Sequence, residues 1–254
     1  MALFLASAVL SFLVAIGSAD RALAAESLTS VAIEVEKVSA RAALILGNGS
    51  KLCLAGIWVP APAESSEQSD AWQSAWHDII EADTFVIRPS QSPGHDRYGC
   101  RLANPVTDDG ASLQRILVEK GWAAVDPSSA PDDVDSIDML LALEDRARRA
   151  RRGIWKDPAM LPKQAAELSF GIGTRQIVEG RVKRIFVNDR YVYLNFGADW
   201  RTDFTIRLSR KMIGREGFDA DALDGKMLRV RGVLQDSRGP LIDVSNLQQI
   251  EFPL

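Results

Sequence analysis

Ala42-Ala43-Leu44-Ile45-Leu46-Gly47-Asn48-Gly49-Ser50-Lys51-Leu52-Cys53-Leu54-Ala55-Gly56-Ile57 is the stretch on which the fold turns. Apolar side chains recur on both sides of a Gly-Asn-Gly triplet. Two strands folded back through a tight turn have this pattern, because glycine and asparagine tolerate the positive φ of such turns. Alternation in Thr29–Val38 adds a strand ahead of the hairpin, and Pro60–Asp70 reads as a loop. Trp72, Trp76, Ile79 and Ile80 fall at helical spacing within Ala71–Glu81, with a short strand following at Thr84–Ile87. A helix over Ser112–Gly121 presents Leu113, Ile116 and Leu117 on one face and closes at Gly121. After an acidic linker at Pro131–Asp138, another runs from about Ser136 to Arg152, with Gly153 as its expected C-cap.

From Gln176 the pattern changes to strands at Ile177–Val187, Tyr191–Phe196, Asp203–Ser209, Met227–Leu234 and Leu241–Phe252, with a helix or loop near Lys211–Leu223. Five strands interrupted in that way predict a small Greek-key barrel of the OB type. The organisation expected is a segment over 1–24, a first domain over 28–158, a linker over 159–173 and an OB-like barrel over 174–254. The class is α+β, mainly β.

Hydrophobic residues at 46% and charged residues at 25% are ordinary globular usage, which excludes a disordered or multi-span chain. Two cysteines cannot make a four-thiolate zinc site, two histidines eighteen positions apart do not supply metal-ligand spacing, and no cofactor motif is present. The net charge of −4 gives no overall attraction to nucleic acid. It is unevenly divided, however. Residues 1–172 hold 16 Lys/Arg against 23 Asp/Glu, and residues 173–254 hold 14 against 11, so the second part is the basic one.

Residues 2–19 carry no charge, and Ala22 and Ala24 supply the small side chains of an A-x-A cleavage site. This reads as a signal peptide cleaved near Ala24, which predicts a periplasmic or secreted protein with no stable membrane span after cleavage. The alternative is an uncleaved N-terminal helix anchoring the chain to a membrane.

Several strings resemble the staphylococcal nuclease (thermonuclease-like) family. They are Leu52–Ile57 followed by Pro60, then Asp96-Arg97-Tyr98-Gly99 with Leu102-Ala103, and Ser112-Leu113 with Leu117–Ala123. The last set is Glu144 with Ala147-Arg148 and Arg152-Gly153-Ile154-Trp155. The resemblance runs along residues 29–158 and implies an OB barrel with three helices. It also implies phosphodiester hydrolysis with calcium, aspartate ligands, a glutamate acting on water and two phosphate-clamping arginines. Calcium needs hard oxygen donors, and guanidinium forks neutralise charge on the transferring phosphate. At the matched positions the donors are missing. The acidic motif falls on Ala40 and Ala42, the first arginine on Cys53, the later ligand and glutamate on Trp58 and Ala61, and the second arginine on Cys100.

The resemblance therefore implies a degenerate site that holds no metal and no calcium, and a pseudo-enzyme. Glu64, Glu67 and Asp70, or His95 beside Asp96, are the groups from which a relocated site would have to be built. Cys53 and Cys100 replace two arginines that point at one phosphate in the family, which brings a disulfide between them into consideration beside two buried thiols. In the second barrel, alternation puts Val192, Leu194, Phe196, Phe204, Ile206 and Leu208 inside. A ligand face of Arg181, Lys183, Tyr191, Tyr193, Arg207, Arg229 and Arg231 is left outside. The functional expectation is an exported, non-catalytic binding or adaptor module. Its partner is single-stranded nucleic acid, another polyanion or an envelope protein. The alternative is a divergent secreted nuclease with a relocated active site.

Overall fold

The computed structural model describes residues 31–38, 43–60, 67–87, 95, 100–130, 136–168, 171–199, 201–216 and 218–253. The expected signal segment and the positions Ala40, Ala42, Ala61, Glu64 and Asp96 lie outside them. Glu67 and Asp70 fall inside a helix, not the expected loop.

The first part contains strands β1 (Val31–Ala32), β2 (Val35–Val38), β3 (Ala43–Leu46), β4 (Lys51–Leu54) and β5 (Ile57–Trp58), then helix α1 (Glu67–Ala82). It continues with β6 (Val86–Ile87), β7 (Arg101–Ala103), α2 (Leu113–Lys120), β8 (Ala124–Val125) and α3 (Ile137–Arg149). The hairpin lies where its sequence demands, with Gly49 at φ 79° and the Asn48 carboxamide accepting from the Ser50 N–H. Strands β2, β3, β4 and β7 form one sheet, with β7 parallel to β4. Strand β6 pairs with β1 and bridges Val106 just beyond β7. With β1 and β2 as two pieces of one strand, the order around the ring is β1/β2, β3, β4, β7, β6 and back to β1, which closes an OB barrel. Trp72, Trp76 and Ile79 of α1 and Leu113, Leu117 and Val118 of α2 pack on the barrel core.

The ends of α2 and α3 are built differently. Ser112 caps α2 by accepting the Arg115 N–H, and Gly121 ends it at φ 80°. Helix α3 ends without glycine. Arg151 takes the left-handed conformation at φ 51°, the Arg152 N–H reaches the Ala147 carbonyl and the Arg151 N–H the Arg148 carbonyl. Gly153, expected as that cap, has another role. A Cβ placed there would stand 2.2 Å from the Gly121 carbonyl oxygen, so the two chains meet backbone to backbone, and the Ile154 N–H donates to that oxygen.

The second part holds β9 (Lys163–Gln164), β10 (Arg175–Arg181), β11 (Arg184–Val187), β12 (Tyr191–Asn195), β13 (Thr205–Ser209), α4 (Arg210–Glu216), β14 (Met227–Asp236), β15 (Pro240–Val244) and β16 (Ile250–Glu251). The sheet order is β11-β12-β13-β15-β14-β10-β9, with β13 parallel to β15. Because β10 and β11 are successive pieces of one bent strand, this ring also closes in OB order. Val192, Leu194, Phe196, Phe204, Ile206 and Leu208 fill it, as their alternation requires.

Between the barrels lies a small apolar cluster of Ala124, Ala147, Trp155 and Ile177, edged by Trp58, Met160 and Leu161. At its side Arg231 of β14 satisfies all five of its N–H donors. Nε and Nη2 donate to Glu251, Nη1 and Nη2 to Glu144 of α3, and Nη1 to the Val125 carbonyl. Glu144 in turn accepts the Val125 N–H at 2.7 Å. Arg175 adds a second bridge to Asp126 at 2.6 Å, and the Asn246 carboxamide donates to the Pro127 carbonyl.

Candidate functional site

Strand β4 carries Cys53 outward between the inward Leu52 and Leu54, and Cys100 stands immediately before β7, the parallel neighbour of β4. Their Cα atoms are 5.9 Å apart and the sulfurs are bonded. The two positions to which the sequence resemblance assigns a guanidinium fork are joined by a single covalent crosslink. Ile57 enters the first core, so strand alternation turns Trp58 outward, where it packs at the edge of the inter-barrel cluster. Ile154, Met160 and Leu161 pack against the same cluster. A disulfide and an indole offer no hard oxygen donor, so the described residues at the matched positions do not fit calcium. Among the described residues, no group of three or more His, Cys, Asp and Glu side chains converges. His95 is exposed, bridges Arg101 through its backbone, and lines a cleft of about 660 Å³ together with Glu34, Lys51 and Arg101.

The second barrel presents a different surface. Register places Phe186, Tyr193, Arg207 and Asp243 side by side across β11, β12, β13 and β15. The Phe186 and Tyr193 ring centroids are 6.0 Å apart, and Tyr193 and Tyr191 are 6.1 Å apart edge to face. The Arg207 guanidinium lies 5.0 Å above the Tyr191 ring and binds Asp243 through two hydrogen bonds, at 3.0 and 2.6 Å. Hydrogen bonding to the Asp243 carboxylate raises the Arg207 pKa above its ordinary value, so the charge is fixed.

Two of the arginines expected on this face do not belong to it. Arg231 is 4% exposed and turned into the first barrel, and Arg229, at 14%, is held by Glu179 and Glu251. The first barrel covers the outer side of β14, which strand alternation cannot reveal. Arg181 is exposed and donates to the Gly225 carbonyl on the β10–β14 side of the barrel. Lys183 is exposed at the strand break, away from either tyrosine in register.

Residues 51–157 match the model of the Staphylococcal nuclease homologue family. This segment is a staphylococcal nuclease-like domain. No curated protein matches the chain. The nuclease-like domain is thereby nuclease-related in descent, and its Glu144, Ala147 and Trp155 serve the contact with the second barrel. Arg148, one of five arginines near the end of α3, belongs to the same contact. It is buried beside Glu144 and Asp145, over the Trp155 ring, and burial lowers its pKa. The other four, Arg146, Arg149, Arg151 and Arg152, are exposed on the solvated side.

Proposed function

We propose that the protein is an exported, non-catalytic binding or adaptor module whose partner is nucleic acid, another polyanion or an envelope protein. The observation that carries this reading is the Cys53–Cys100 disulfide. It stands at both positions where the family resemblance calls for phosphate-clamping arginines, and a sulfur–sulfur bond cannot neutralise a pentacoordinate phosphate. Losing one such electrostatic donor costs roughly 10²–10³ in rate, and losing a whole set removes the mechanism. Export fits the same bond, because structural disulfides persist in oxidising compartments. Among the described residues no helix is long and apolar enough to cross a membrane.

The test is incubation of the purified chain with single-stranded DNA and calcium, alongside a chelator control. Intact substrate in both is expected. Calcium-dependent cleavage overturns the non-catalytic part, and retention of the chain in the cytoplasmic fraction overturns export. A second reading, a divergent phosphodiesterase with a relocated site, is favoured by the cleft that places His95 with Glu34, Lys51 and Arg101. Chelator-resistant cleavage lost in His95→Ala would establish it.

A further inference from the structure

We infer that the outer face of strands β11 to β13 is a stacking platform for single-stranded nucleic acid, an inference that rests on the binding-module reading above. Phe186 is 56% exposed, although burial would favour so large a ring. Its position is set by the break at Val182-Lys183. Inward residues up to there are Val178, Gly180 and Val182. After the break the phase shifts by one, so Ile185 packs on the core and Phe186 points out. The shifted phase puts Phe186 in line with Tyr193 on the neighbouring strand, with Tyr191 two residues along the same face.

Arg207 completes the row and is held in place. Its bidentate pairing with Asp243 fixes the planar guanidinium over Tyr191 and takes up its charge, leaving it a stacking surface, not a phosphate clamp. Phosphates are left to the cations at the two ends of the row. Arg184 lies two residues before Phe186 on the same face, and at the other end the backbones of Arg190 and Arg210 meet, the Arg210 N–H donating to the Arg190 carbonyl and the Arg210 guanidinium to the Asn188 carbonyl. Asp189 shares that turn, and Asp243 is already committed to Arg207.

This chemistry selects the ligand. Aromatic faces about 6 Å apart with flanking arginines suit unstacked bases on a connected backbone, about two or three at a time. Duplex DNA keeps its base faces stacked away from such a surface. A protein partner needs about 800 Å² on each side, and Phe186 is the one large apolar side chain that this face leaves exposed among the described residues.

The experiment is fluorescence anisotropy of labelled 15-residue oligothymidylate and oligouridylate with the full chain in chelator, and with a duplex of equal length. Expected are binding of single strands that weakens as salt rises, and binding of the duplex at least tenfold weaker. Phe186→Ala and Tyr193→Ala are each expected to weaken single-strand binding by about tenfold. Both side chains are partly or largely exposed, and an unchanged melting temperature shows that the variants fold. Arg184→Glu with Arg190→Glu provides an independent loss that also flattens the salt dependence. Tight binding undiminished in the ring variants overturns the platform while leaving a nucleic-acid-binding module in place. Failure of both oligonucleotides to bind overturns the inference and leaves another polyanion or a protein as the partner. Neither result bears on cleavage, so the non-catalytic reading is judged separately.

Discussion

Arg231 and Glu144, 87 positions apart in the chain and on different barrels, meet through hydrogen bonds of 2.7 and 2.9 Å with side chains only 4% and 1% exposed. Burial works against the Arg231 charge, but Glu144 and Glu251 outweigh it and raise the pKa above the ordinary arginine value. A group whose folded pKa is raised contributes stability below its unfolded pKa and loses it as pH rises through the folded one. For arginine that window lies far above neutrality, so the cationic side of this contact does not change across the physiological range.

Replacing Arg231 with methionine leaves Glu144 without its main cation in an apolar interface. The expected cost is about 3–5 kcal/mol, because breaking a buried pair leaves an uncompensated charge. Denaturant unfolding followed by tryptophan fluorescence checks it. The wild type is expected to unfold in one transition and Arg231→Met in two, with the barrels uncoupled.

Removing the Cys53–Cys100 crosslink tests what it contributes to stability. The two cysteines are 47 positions apart, and the loop-entropy relation assigns such a bridge about 4 kcal/mol. Cys53→Ser with Cys100→Ser is expected to lower the melting temperature by about 10 °C for a chain of this size. Adding reductant to the wild type should reproduce the shift, and an unchanged melting curve would show the bond to be dispensable.

Two substitutions at the end of α3 should move stability in opposite directions. Arg151 holds φ 51° without being glycine, so Arg151→Gly is expected to gain about 0.5–1 kcal/mol. Gly153→Ala would drive a methyl into the Gly121 carbonyl and is expected to cost about 3 kcal/mol or more. Paired urea midpoints measure both.

Asp109 lies in the turn ahead of α2, where its carboxylate accepts from the Thr107 hydroxyl and, more weakly, from the Ala111 N–H. The Thr107 hydrogen bond leads in holding its pKa below the ordinary aspartate value. A depressed pKa contributes stability above the unfolded value and loses it as pH falls through the folded one. Thr107→Val should let the Asp109 titration rise, which carboxyl NMR can follow directly.

Much of this architecture can be read from residue order. The Gly-Asn-Gly turn, the Ser112 cap, the tryptophan face of α1 and the alternation of β12 and β13 are local signals, and each describes contacts its own segment must make. What resists reading comes from elsewhere in the chain. Arg229 and Arg231 have the parity of outward residues, but only the docking of α3 decides that outward means buried. Phe186 belongs to a run that looks like one continuous strand, and continuous alternation from Val178 would send it inward. The phase shift at Val182-Lys183 comes from closure of the barrel, with the Val182 N–H donating to the Lys226 carbonyl and the Lys183 N–H to that of Asn195. The disulfide was legible only as a pairing of positions, since sequence cannot bring two Cα atoms within bonding range.

The inter-barrel contact also constrains how the protein can be handled. A fragment ended at residue 157, where the family match stops, would leave Glu144 on a bare flank and strip Trp155 of Ile177. Such a piece is expected to be less stable and more readily digested than the full chain, so expression boundaries drawn from the recognisable segment alone would discard contacts that support it.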